Sequence, residues 1–109
     1  MKNLYIALSF VAFSFTLSAQ NKDTKAADKL FARYEYVDAA KAYLKLVEND
    51  KGDAYVYKQL ADTYYNMFNS TEAVKWYAKA TETNQDAETY YRYAQMLKAN
   101  GKYEEANKQ

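Results

Sequence analysis

Apolar and polar positions along this chain follow a helical period through most of its length. Ala27, Leu30, Phe31 and Tyr34 stand at i, i+3, i+4 and i+7, and Tyr57, Leu60, Ala61 and Tyr64 repeat that spacing. Breaks fall at regular points. The pattern predicts a first helix capped by Asp23 or Thr24 and running through Tyr34, then a turn at "EYVD". A second helix is predicted from Ala39 to Val47, stopped by "NDKGD" (49–53), and a third is capped by Asp53. "NS" ends the third, and Asn69 with Glu72 three residues on has capping-box spacing for a fourth that reaches about Thr83. Asp86 caps a fifth, predicted through Ala99. Asn100-Gly101 is expected to stop it, because glycine readily takes the left-handed conformation after a helix end. A sixth helix is predicted from near Tyr103.

The pattern also repeats, with a period of about 34 residues. Ala73, Tyr77 and Ala80 fall one period after Ala39, Tyr43 and Leu46, and Ala106 follows Ala73 at nearly the same distance. At that shift Tyr57 aligns with Tyr90, Leu60 with Tyr93, Ala61 with Ala94 and Tyr64 with Leu97. Such a period marks a helical-repeat architecture. Alanines set among bulky rings make sense there. Ala61 and Ala73 are expected to face each other across the middle hairpin, Ala80 to admit the next hairpin, and Tyr77 to fill the space between.

The first residues differ. "MKN" carries one lysine, "LYIALSFVAFSFTL" (4–17) is apolar and free of charge, and small residues follow at Ser18 and Ala19. This is the order of a secretory signal peptide, predicted over 1–19 with the cut after Ala19. An uncleaved anchor is the alternative, although a spanning helix needs about 20 apolar residues. Without Lys2 the remaining chain carries 14 basic and 14 acidic residues, which leaves no basic footprint for nucleic acid or an anionic membrane. There is no His and no Cys, so a disulfide framework, the usual zinc ligands and a Cys or His nucleophile are excluded. No cofactor is implied. Acidic pairs such as Glu104-Glu105 read as a solvated helix face.

The aligned positions resemble the tetratricopeptide repeat, a helix–turn–helix of about 34 residues. The middle repeat supplies Tyr57, Leu60-Ala61, Tyr64, Ala73, Tyr77 and Ala80, and Gln85 stands where the family has proline. The third matches through Tyr90, Ala94, Leu97, Gly101, Tyr103 and Ala106. The first matches only at Tyr36, Ala39, Tyr43 and Leu46. The resemblance implies an all-α stack of antiparallel hairpins over 20–109, about two and a half repeats. It also implies packing roles for Tyr57, Tyr64, Tyr77, Tyr90 and Tyr93, with hydroxyls reaching the surface or a backbone partner. "SAQ", "ADKLFARYEYVDAAKAYLKLVE" and "YYRYAQMLKANGKYEEAN" further resemble the start of large Gram-negative envelope proteins. In those, such repeats precede a β-propeller-like segment and an outer-membrane protein A-like domain that holds peptidoglycan, and some relatives serve the type nine secretion machinery. The implied setting is the periplasm or outer membrane, with this chain the N-terminal portion of a longer scaffold.

In the family the inner groove is lined by the first helix of each pair. That implies a partner-binding face of Tyr55, Lys58, Asp62, Tyr65 and Asn66 from one repeat, and Glu88, Tyr91, Gln95 and Lys98 from the next. The partner would be an envelope protein or peptide; an ordinary solvated helix face is the competing reading. Lys58 and Arg92 match two positions of the family's carboxylate clamp, but Asp62 and Glu88 put negative charge where a carboxylate would sit, so a clamp is rejected. Two other readings stay open: a targeting arm of a larger exported enzyme, and a stand-alone periplasmic adaptor.

Overall fold

The computed structural model describes the backbone of residues 23–108 and the side chains through Lys102. The predicted signal segment 1–19, the start at Gln20 and the side chains of Tyr103 and Ala106 therefore lie outside the described residues. Those described are all-helical, with no strand among them. Residues 23–32 form α1, followed by α2 (Tyr36–Glu48), α3 (Ala54–Asn66), α4 (Ser70–Ala80) and α5 (Ala87–Lys108). From α2 onward each helix packs on the next, through connections short enough to make neighbours antiparallel.

Three helix starts follow their caps. The Asp53 carboxylate accepts from Val56 N–H at 2.9 Å, the Asn69 amide oxygen from Glu72 N–H at 3.2 Å, and Asp86 from Thr89 N–H at 2.9 Å. The capping box is half formed, since Glu72 accepts the Trp76 indole N–H instead of reaching back. Neither Asp23 nor Thr24 caps α1, because residue 23 is already helical. Asp23 instead lies 3.5 Å from Lys51, and Thr24 donates to Asp28.

The helix ends differ from expectation. The first turn comes at 33–35 rather than 35–38, so α2 starts at Tyr36, and α4 ends at Ala80, short of Thr83. Tyr34, Asp50 and Phe68 take left-handed φ values of 64°, 60° and 58°. The amide after each donates to the carbonyl five residues back: Glu35 to Leu30, Lys51 to Leu46 and Asn69 to Tyr64, at 2.8–3.0 Å. These are Schellman closures without glycine, so the usual sequence signal was missing. Tyr34 and Phe68 stand one repeat period apart.

Gly101, close to one period after Phe68, does not turn the chain. It has no positive φ, a Cβ there would meet nothing within 4 Å, and α5 runs unbroken to Lys108, so there is no stop at Asn100-Gly101 and no separate sixth helix among the described residues. Glycine inside a helix costs only about 0.5–1 kcal/mol relative to alanine. At Phe68 the chain turns and α4 packs back on α3.

Small residues line the seams. Ala39, Ala61, Ala73 and Ala80 are all fully buried, with Leu60, Val56, Tyr43 and Tyr77 beside them. Fully burying a side chain the size of Leu60 or Val56 contributes about 1.5–3 kcal/mol. Tyr77 stacks on Tyr93 across the α4–α5 contact at 5.9 Å, and Tyr57 stacks on Trp76 across α3–α4 at 5.9 Å. Tyr57, Tyr64 and Tyr93 are half-buried against this core. Tyr90 departs from its predicted packing role: it is 42% exposed, because no described helix covers the face of α5 equivalent to the one α4 covers on α3. The hydroxyl expectation is also corrected. Tyr77 donates to the buried carboxylate of Asp62, not to water or backbone, and Tyr43 donates in the same way to Asp28. The two ties are one repeat period apart. Each is met from the next odd-numbered helix, Gln59 Nε2 reaching Tyr43 at 3.2 Å and Arg92 reaching Asp62 at 3.2 Å.

Candidate functional site: the face shared by α3 and α5

Two contacts set the geometry. Asp62 of α3 meets Arg92 of α5, and the Tyr65 hydroxyl donates to Gln95 Oε1 at 3.0 Å. Both partners advance together along their helices, so α3 and α5 lie side by side and parallel, as two helices separated by one antiparallel neighbour must.

Asp62 is the centre of the first cluster. Only 2% exposed, it receives the Tyr77 hydroxyl from below, Lys58 at 3.1 Å from one turn earlier on α3, and Arg92 from α5. A buried carboxylate needs such compensation. Burial and the Asp62 carboxylate together push the Tyr77 hydroxyl well above the ordinary tyrosine value. Burial opposes the charge of Arg92, but Asp62 and Glu88 outweigh it and raise its pKa. Asp86, fully exposed, is held below the usual carboxylate range by the Thr89 hydroxyl and then by its backbone N–H.

Tyr65 joins this cluster to a second. The Arg92 guanidinium sits 5.0 Å from the Tyr65 ring centroid, Tyr65 donates to Gln95, and Gln95 Nε2 donates to the Tyr91 hydroxyl at 3.4 Å. The two rings are thus linked through a single amide. Tyr91 is 64% exposed and, as the acceptor in that bond, keeps its own proton to donate.

The nine residues expected on this face are only partly brought together. Lys58, Asp62, Asn66 and Glu88 line a cavity of about 340 Å³, together with Phe31 and Tyr36. Tyr91, Gln95 and Lys98 line a second, shallower one of about 530 Å³ on α5 alone, with Lys102 and two alanines. Tyr65 lies between the two and lines neither. Tyr55 departs from the expected face: its ring packs on the core, and burial, with Asp28 facing its hydroxyl, raises its pKa to about 12. Asp62 is corrected as well, from a contact residue to a buried strut, because three donors already surround it. Asn66 is exposed and donates to the Asp62 carbonyl at 2.7 Å.

Sequence reasoning named Arg92 only as a match to the rejected carboxylate clamp and left Lys102 off this face, although both carried a signal: Arg92 follows Glu88 and Lys102 follows Lys98 at i+4. Phe31 and Tyr36 carried none, since their place at the cavity depends on how the first turn aims α2. Among the described residues no group of three or more acidic side chains is disposed to hold a metal ion, and no helix is long and apolar enough to cross a membrane. No family model matches the chain, and no match to it was found among curated proteins or solved structures.

Proposed function

We propose that the chain is a non-catalytic protein-binding module of tetratricopeptide type, exported to the periplasm or outer membrane, and that the α3–α5 face receives its partner. The observation carrying this reading is the preset aromatic face: Tyr65 and Tyr91 joined through Gln95, with Tyr91 open to solvent. Rings already held in place lose little ordering entropy on binding. The recurrence, one period on, of the Tyr–Asp ties and of the left-handed turn residues supports the repeat assignment. Buried charge that is fully paired, as at Asp62, suits a scaffold better than an acid–base site. The envelope setting rests on the signal-like segment and on the resemblance to outer-membrane protein A-like scaffolds; it requires an exported product whose N-terminal sequence begins within about two residues of Gln20.

The test is capture of envelope proteins by the full chain and by a Tyr65→Ala/Tyr91→Ala variant. A central aromatic anchor is worth at least about 2 kcal/mol, so the variant should lose its partner while its helical circular dichroism is unchanged. Capture that survives with the fold intact would place binding elsewhere.

A further inference from the structure

The two cavities on this face differ in charge, and the difference runs along α5. At the N-terminal end, Asp62, Asp86 and Glu88 face Lys58 and Arg92, an excess of one negative charge. Both cations there are already engaged, Lys58 with Asp62 and Arg92 with Asp62 and Glu88. The carboxylate of Glu88 remains largely exposed. Further along the helix the balance inverts. Among the described residues, Lys98 and Lys102 line the second cavity with no acidic side chain, and neither has an ion-pair partner.

At about 100° per residue, Glu88, Tyr91, Gln95, Lys98 and Lys102 share one side of α5, within an arc of about 80°. A rise of about 1.5 Å per residue puts Lys98 and Lys102 about 15 and 21 Å beyond Glu88. The stretch between is uncharged along that side and carries the exposed Tyr91 ring. The helix dipole does not account for the lysines, because its effect is confined to the terminal turns and α5 continues to Lys108. The wall of the first cavity is also particular. Phe31 and Tyr36 meet edge to face at 5.7 Å and line the same cavity as the carboxylates, a setting that favours a cationic side chain.

We infer that this face recognises a partner protein segment by a split charge: a basic side chain between Phe31/Tyr36 and Asp86/Glu88, and acidic side chains over Lys98 and Lys102. An extended segment spans that separation in about five or six residues. The inference rests on the proposed protein-binding role and adds the chemistry of the segment bound.

Fluorescence anisotropy with synthetic peptides of one composition tests it. One peptide separates an arginine from two glutamates by five neutral residues; its isomer places the same charges side by side. Exposed ion pairs are individually weak, but three together should favour the separated peptide about tenfold at low salt, an advantage that shrinks as salt is added. In Lys98→Glu/Lys102→Glu the preference should pass to a peptide with arginines at both ends. Equal binding of the two isomers overturns the split-charge inference and leaves the docking face standing. An unchanged preference in the charge-reversed protein, with its helicity intact, overturns it too. If no peptide binds while partner capture still depends on Tyr65 and Tyr91, the inference alone falls. If that dependence is also absent, the docking face falls with it.

Discussion

Removing one oxygen, in Tyr77→Phe, probes the buried tie most directly. The ring and its stacking on Tyr93 are kept, so the change isolates the hydroxyl's bond to Asp62. A hydrogen bond to a charged group contributes about 1.5–3 kcal/mol. Asp62 still has Lys58 at 3.1 Å and Arg92 at 3.2 Å, so the carboxylate is not orphaned, and the expected loss is about 2 kcal/mol. Asp62→Ala should cost more, about 3–5 kcal/mol, because it strands a buried hydroxyl, unpairs Lys58 and leaves Arg92 only Glu88. Tyr43→Phe is the internal comparison. Its tie to Asp28 is only part-buried, so water can replace the lost donor, and about 1 kcal/mol is expected. Urea unfolding followed by circular dichroism measures each loss, with unchanged m-values showing that only stability has moved. The double variant Tyr77→Phe/Asp62→Ala closes the cycle, and a coupling of about 1–2 kcal/mol is expected for groups in direct contact. A loss below about 0.5 kcal/mol for Tyr77→Phe, or additive single losses, would refute the claim that this bond ties α4 to α3.

Two other outcomes follow from the same packing. Ala73→Leu should overpack the α3–α4 seam by about 1–3 kcal/mol, whereas Ala78→Leu on the exposed side of α4 should be near neutral, and equal losses in denaturant melts would contradict the seam. Tyr43, Tyr55 and Tyr77 hold their protons more tightly when folded than the ordinary 10.0, so above that pH the unfolded chain binds fewer protons than the folded one. Stability should therefore be independent of these groups below the ordinary tyrosine value and fall as pH rises beyond it; complete tyrosinate absorbance, these three buried groups included, well before helicity is lost would contradict this.

The sequence by itself determined the helical class, three of the caps and the alanines that became seams. Those features are local or periodic. A carboxylate or amide three residues ahead of a free N–H acts through neighbours in the chain, and a residue recurring every helical turn meets whatever lies on that side. The tertiary structure decided the rest. It put the left-handed turns on Tyr34 and Phe68, where no glycine announced them, and left Gly101 helical, since glycine permits a left-handed turn without requiring one. The family resemblance implied that Tyr55 and Asp62 belong to an open groove face of α3, yet one turned inward toward Asp28 and the other became a buried strut. Burial of Asp62 depends on Tyr77 and Arg92 arriving from α4 and α5, and the helical period of α3 carries no record of either. The same holds for Phe31 and Tyr36, whose rings reach the cavity only because α1 and α2 turn beside it, a placement fixed by packing between hairpins and invisible to any spacing within one helix.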